Sequence, residues 1–244
     1  WILQPDESGL DASPKFDPVW ERRANGQIGF PLLVRRNRGL GFDARRVRER
    51  GGPVLCEVLV NTMWSLSLQA AGRPSATPAL VERLWDERLG LFLDQAQPGG
   101  ARPRVLTWAA LAPLALPDLP EAIGRRLVEE HLLNEREFLT PVAPPSVAVS
   151  EPSYEPGGGN GPIRRYWRGP TWVNSAWMVW LGLRRLGYEE EARRLADGVI
   201  GAVAREGLRE YYDPRTGKGL GARDFAWSAL VAELADPRED YLYL

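Results

Sequence analysis

Apolar positions along this chain recur mostly at helical spacing. Glu57–Ala71 sets Leu59, Met63 and Leu66 on one face and stops at Gly72. Thr77-Pro78 reads as an N-cap followed by proline in the first turn, opening a helix that reaches Arg88. Trp108–Leu116 and Glu121–Leu133 form a second pair, split by Pro117 and Pro120. Val173–Leu186 ends at Gly187. Glu190–Glu206 places Ala192, Leu195, Ala196, Val199, Ile200 and Val203 on one stripe and stops at Gly207. Phe225–Ala235 is a last, strongly apolar helix. The pattern predicts about seven helices and no strand set, with short runs such as Gly90–Leu93 as small hairpins.

Helices paired in this way suit an α-solenoid or an α/α toroid. A solenoid predicts short loops on both sides, whereas Asn134 to Pro170 is a long segment rich in proline and glycine, including "EPGGGNGP". A loop of that length inside a compact domain is usually functional. Helical pattern resumes directly after it, so no domain boundary is expected there.

Composition then removes several classes of chemistry. The 244 residues carry one cysteine, Cys56, and one histidine, His131. A disulfide framework and a thiolate or multi-histidine metal site are therefore excluded, and a histidine-based triad has one candidate. A net charge of −1 gives no general electrostatic hold on nucleic acid or an acidic membrane. No apolar run reaches the roughly 18 residues of a membrane span. Tryptophan is the commonest aromatic, with 10 against 7 tyrosines and 6 phenylalanines. The chain begins with Trp1, which reads as a processed chain or a fragment.

Three stretches carry candidate chemistry. "DESGLDASPKFD", from Asp6 to Asp17, puts four acidic residues on a turn shaped by Gly9 and Pro14. It reads as a solvated loop, or as a reactive carboxylate that needs a partner elsewhere. "RRYWRGPTWVNSAWMVW" holds Trp167, Trp172, Trp177 and Trp180. Trp177 and Trp180 lie in the apolar helix and read as core. Trp167 and Trp172 flank a turn, where aromatic faces can stack on sugar rings and Arg168 can donate in a planar fork. "GLREYYDPRTGKGLGARDFAW" sets Glu210 after a helix stop, on a glycine-rich loop beside Tyr211 and Tyr212. Glu210 is either a surface residue or a carboxylate tuned by aromatic walls. The physics alone does not pick a pair from 32 acidic residues.

Together, "ESGLDASPKFD", "YWRGPTWVNSAWMVWLGL" and "LREYYDPRTGKGLGARDFAWSALV" resemble the signature blocks of inverting (α/α)6-barrel glycosidases. The match is to glycoside hydrolase family 63 and its mannosylglycerate hydrolase-like group, with trehalases more distant. The resemblance implies an all-α (α/α)6 toroid. Residues 1–244 would be the C-terminal portion of a single catalytic barrel, with the first helices upstream. It implies Asp11 as general acid and Glu210 as general base of a single-displacement hydrolysis of an α-glycosidic bond in a small glycoside or oligosaccharide, either of the mannosylglycerate or glucosylglycerate type or as an α-glucosidase would cleave. It further implies substrate contacts from Gly9, Tyr166, Trp167, Arg168, Trp172 and Asn174, a small carbohydrate substrate, and no metal or organic cofactor; separately, a cytoplasmic location is expected. Asp6 departs from the pattern, because some members carry an aromatic residue before Glu-Ser-Gly. Arg45, Arg48 and Arg50 are candidates for a substrate carboxylate, with a solvated helix end as the alternative. The rival readings are a trehalase-like hydrolase and a non-catalytic helical-repeat module whose tryptophans are core.

Overall fold

The computed structural model describes residues 1–24, 29–158 and 166–236. Part of the glycine-rich "EPGGGNGP" segment, residues 159–162, lies outside them, as do Arg164 and Arg165. Helices account for most of the regular structure, as the periodicity predicts. Two 3-10 turns, Pro5–Ser8 and Pro14–Phe16, lead into α1 (Asp17–Ala24), α2 (Phe30–Gly39) and α3 (Ala44–Glu49). These three helices were not expected. Their apolar stripes are short: α3 buries only Val47 and is capped by the Asp43 carboxylate, which accepts from the Arg45 and Arg46 amides.

Strand β1 (Val54–Cys56) precedes α4 (Val58–Ala70) and α5 (Thr77–Leu84). Helix α5 starts with Thr77 already inside it, capped by Ala76, and ends four residues short of Arg88 because the chain turns into a strand. Strands β2 (Trp85–Asp86), β3 (Leu91–Phe92) and β4 (Gln95–Gln97) follow. β2 and β3 form the small hairpin expected near Gly90–Leu93, and β4 returns to pair with β1. Ile2 adds to the same ribbon through two backbone bonds with Leu55 of 2.8 and 2.9 Å.

The segment 108–116 is not an α-helix. It runs as two 3-10 turns, Trp108–Ala110 and Ala112–Ala115, because Pro113 lacks the amide that a continuous helix needs. Helix α6 (Glu121–Arg126) continues as a π-helical turn to Leu132. His131 in that turn has both ring nitrogens engaged, 2.7 Å from a Glu137 oxygen and 2.9 Å from the Leu89 carbonyl. The described part of the long segment before Pro170 is ordered by backbone bonds rather than by helix or sheet, for example Ser146 N to Pro170 O at 2.9 Å.

Helices α7 (Val173–Arg185) and α8 (Glu189–Glu206) form an antiparallel hairpin. They bury Val179, Trp180, Leu183, Leu195 and Val199 in one large core with Leu111, Leu114 and Leu127. Trp180 is core, as its helical spacing implied. Strands β5 (Arg209–Tyr212) and β6 (Gly219–Arg223) form an antiparallel ribbon, which the sequence pattern missed. A 3-10 turn (Ala226–Leu230) and α9 (Val231–Ala235) close the described chain. A second core lies beneath the N-terminal turn and collects Phe16, Trp20, Trp108, Trp167, Trp172 and Tyr211. On α4, Leu59 is buried but Met63 and Trp64 stay about half exposed, so the predicted apolar face is only partly covered by the described residues.

Candidate active site

Asp11 sits on the tight turn between the first two 3-10 turns. Gly9 makes that turn possible: its φ is +72°, and a side chain there would meet open space rather than a neighbour. Conformation therefore demands glycine, and the backbone remains open to an approaching ligand. Ala12 also takes a left-handed conformation, with φ +58°. A non-glycine residue in that region is strained and persists only where its surroundings fix it.

Arg168 does much of the fixing. Its Nε donates to the Ala12 carbonyl at 2.8 Å, and its Nη2 donates to Asp17 at 2.8 Å. The planar guanidinium thus spans both ends of the acid turn. Other acidic residues of the stretch are scaffold. Glu7 accepts from the Leu3 amide at 2.9 Å, and Asp6 accepts from Gln4 Nε2 at 3.2 Å. Burial raises the Asp6 and Glu7 carboxyls above their ordinary range.

The block that carries Arg168 also reaches the second carboxylate. Thr171 and Tyr212 exchange two backbone hydrogen bonds of 2.9 Å, which docks the start of α7 onto β5. Glu210 lies two residues before Tyr212, at a register shift in the β5–β6 ribbon. A bulge of this kind re-aims a side chain. Its Oε2 accepts from the Ala222 amide at 2.9 Å. Glu210 is therefore on a strand, not on the loop that glycine content suggested.

Gly221 is set against this carboxylate. Its φ is +66°, and a Cβ there would fall 2.5 Å from Glu210 Oε2 and 2.7 Å from Tyr211 Cε1. With Glu210 as the general base that the family resemblance implies, Gly221→Ala is expected to displace its carboxylate and lower kcat about 100-fold, the scale of a 1 Å misplacement. Gly187→Ala is the control, because it shares the positive φ but has no neighbour within 4 Å. Equal losses in the two variants would show that backbone strain alone matters.

Tyr166 packs beside Tyr211, with ring centroids 6.2 Å apart. Its hydroxyl donates to Asp11 Oδ2 at 3.0 Å. Burial, then the charge of Asp11 and its hydrogen bond, then the charge of Glu210 push the phenol far above its usual value. It is held neutral as a donor. Trp172 Nε1 donates to the Tyr166 carbonyl at 3.0 Å. Trp172 also stacks on Trp167 with centroids 4.1 Å apart and planes 8° apart. Trp167 stacks in turn on Trp108 at 6.1 Å. Trp167 and Trp172 are both buried, so the turn they flank does not leave them on the surface. Asn174, at the start of α7, has a buried Oδ1 with no hydrogen-bond partner among the described residues.

Several members of this site gave no separate signal in the sequence. Trp108 read as part of an ordinary helix, yet it ends the tryptophan stack. Phe225 and Trp227 pack on Trp172 at 6.5 and 5.8 Å, and Trp227 is 46% exposed. Arg45, Arg48 and Arg50 are exposed on or just after α3, as a solvated helix end would be. Among the described residues no group of three or more His, Cys, Asp or Glu could hold a metal ion, and no helix is long and apolar enough to cross a membrane.

The helical hairpins superpose on a solved GH63 mannosylglycerate hydrolase from Thermus thermophilus with a TM-score of 0.75 at 27% identity, over 96% of this chain and 64% of that one, which places the chain in the class of glycoside hydrolase domains with the (α/α)6 architecture. The chain belongs to the family of the mannosylglycerate hydrolase MGH1-like glycoside hydrolase domain, whose model matches residues 69–228. It is 30% identical to a mannosylglycerate hydrolase of Rubrobacter radiotolerans, over 95% of this chain and 60% of that protein. It is 35% identical to a glucosylglycerate hydrolase of Mycolicibacterium hassiacum, over 91% of this chain and 58% of that protein. The crystal structure of a GH63 mannosylglycerate hydrolase from Thermus thermophilus in complex with Tris and D-glycerate superposes with a TM-score of 0.73. That match has 28% identity and covers 96% of this chain and 64% of that one. The chain thus spans about three fifths of the length of these relatives.

Proposed function

We propose that this chain carries the catalytic carboxylates of an inverting glycoside hydrolase that cleaves the α-glycosidic bond of a small acidic glycoside of the mannosylglycerate or glucosylglycerate type. The observation that carries the reading is Tyr166, whose hydroxyl bonds Asp11 at 3.0 Å and whose ring lies 6.2 Å from that of Tyr211, the neighbour of Glu210. One side chain thereby brings the Asp11 turn beside the strand that carries Glu210.

In this reading Asp11 is the general acid. Tyr166 occupies Oδ2, so the proton for the leaving oxygen rides on Oδ1. Glu210 is the general base and takes a proton from a water on the opposite face of the sugar. The Ala222 amide holds Oε2 and so orients the carboxylate toward that water. The bond from the anomeric carbon to the aglycone oxygen breaks as the bond to water forms, and the configuration inverts. Tyr166, with the buried Trp172 and Trp167 packed behind it, walls the sugar, while Gly9 and Asn174 offer backbone and amide contacts. Arg168 acts through the acid turn, since its fork is engaged by Ala12 and Asp17.

The test is the product anomer. Hydrolysis of mannosylglycerate and glucosylglycerate by the full-length protein is followed by proton NMR in the first minutes, before mutarotation. β-Sugar from an α-linked substrate is expected. Initial α-sugar would overturn the single-displacement mechanism, and no hydrolysis of either would overturn the substrate class.

A further inference from the structure

Lys15, Glu57 and Asp94 are buried together, at 4, 0 and 5% exposure. The Lys15 ammonium bonds Glu57 Oε1 and lies 2.9 Å from Asp94 Oδ2. Each carboxylate is also held by the first turn of α4. Glu57 caps that helix and accepts from the Val60 amide at 2.5 Å, and Asp94 accepts from the Val58 amide at 2.9 Å. Two negative charges therefore meet the positive end of a helix, which favours them. Among the described residues one cation balances them, so the cluster keeps an excess negative charge. Burial first, and Glu57 after it, outweigh the opposing Lys15 and push the Asp94 carboxyl up to about 6.

Stability gives little reason for such a cluster. Replacing a buried ionic triad with apolar residues of similar volume is often neutral or stabilising. Its place in the chain suggests another purpose. Lys15 lies four residues after Asp11, and the span between is closed by turn hydrogen bonds, Ser13 N to Leu10 O at 3.0 Å and Phe16 N to Ser13 O at 3.2 Å. Fixing the Lys15 ammonium fixes this flank of the turn against α4 and the segment after β3. The strained Ala12 lies between that anchor and Asp11, with Arg168 holding it from the other direction.

We infer that Lys15 is a positioning residue: locked between Glu57 and Asp94, it sets the acid turn so that the Asp11 carboxyl meets the leaving oxygen. This rests on the assignment of Asp11 as general acid. A residue that positions an acid has a kinetic signature that a merely structural residue lacks. Its loss harms substrates whose leaving group needs a proton and spares those whose leaving group departs without one.

The experiment compares a natural glycoside with the corresponding glycosyl fluoride in the full-length protein. Lys15→Met keeps the stem and removes the charge. The expected result is a loss in kcat of roughly 30- to 100-fold on the glycoside, a loss of under about threefold on the fluoride, and an unchanged KM. Equal losses on both substrates, or no loss on either, would overturn the inference. Should Lys15→Met fail to fold, Glu57→Gln carries the test, because it leaves Lys15 and Asp94 as a neutral pair. A loss of about 3- to 10-fold confined to the glycoside supports positioning, and parity between the substrates overturns it. Asp11→Asn measured in parallel separates the two claims. Full activity in Asp11→Asn removes the acid assignment itself. A substrate-selective loss in Asp11→Asn with none in the Lys15 and Glu57 variants refutes the positioning role alone.

Discussion

Asp11→Asn is expected to lower kcat on a natural glycoside by about 10³-fold, within the 10²–10⁴ range of general acid catalysis, with KM changed by less than about threefold. The substitution is close to isosteric. An asparagine oxygen can still accept from the Tyr166 hydroxyl, which lies 3.0 Å from Asp11 Oδ2, so the aromatic wall has no cause to move. What disappears is the acidic proton. The loss should shrink on a substrate with a good leaving group, and it should not shrink in Glu210→Gln, where water activation is lost instead. Circular dichroism at 222 nm should be unchanged in both. Retained activity of Asp11→Asn on the natural glycoside would remove the acid assignment.

Arg168→Met should show the largest loss of stability. Arg168 is 7% exposed, and its guanidinium serves two acceptors, the Ala12 carbonyl and Asp17. Removing one partner of a buried pair costs about 3–5 kcal/mol, because the other charge loses its compensation. The Asp17 side chain is 25% exposed, so water offsets part of this and the low end, about 3 kcal/mol, is expected. For a chain of this size that is a fall in Tm of roughly 6–12 °C. Activity should fall further than stability explains, because Ala12 would relax from its left-handed conformation and carry Asp11 with it. Arg168→Lys should recover only part of both losses: an ammonium lacks the planar fork that serves both acceptors at once. Scanning calorimetry beside kcat decides the matter, and a Tm within about 2 °C of the parent would show that the pair is dispensable.

These two residues illustrate how the sequence and the fold divide the information. Arg168 stood out as a possible sugar ligand because it lies between two tryptophans. In the folded chain its donors turn toward the acid turn, about 150 residues away in sequence, a partnership that local pattern cannot encode. The same limit explains the tryptophans. Trp167 and Trp172 looked like surface platforms on a turn, whereas the turn is folded under Trp108 and both rings are buried.

By itself the sequence determined the helical class. The stripes of α4, α7 and α8 are long enough to be unambiguous at a period of 3.6, and their glycine stops fall where the helices end or within a residue or two. Resemblance among three blocks also singled out Asp11, Glu210 and Tyr166 as a group, and pointed to the family whose model matches residues 69–228. Short elements were beyond its reach. Helix α3 buries one residue, and β5 and β6 pair across glycines whose turn chemistry mimics a loop. Only the tertiary structure decided which charges meet. Lys15 finds Glu57 and Asp94, Tyr166 finds Asp11, and Gly221 lies against Glu210, each across gaps in the chain that carry no periodic signal. The physical reason is range: helix and turn propensities act over a few residues, while a buried charge is settled by whichever elements pack around it.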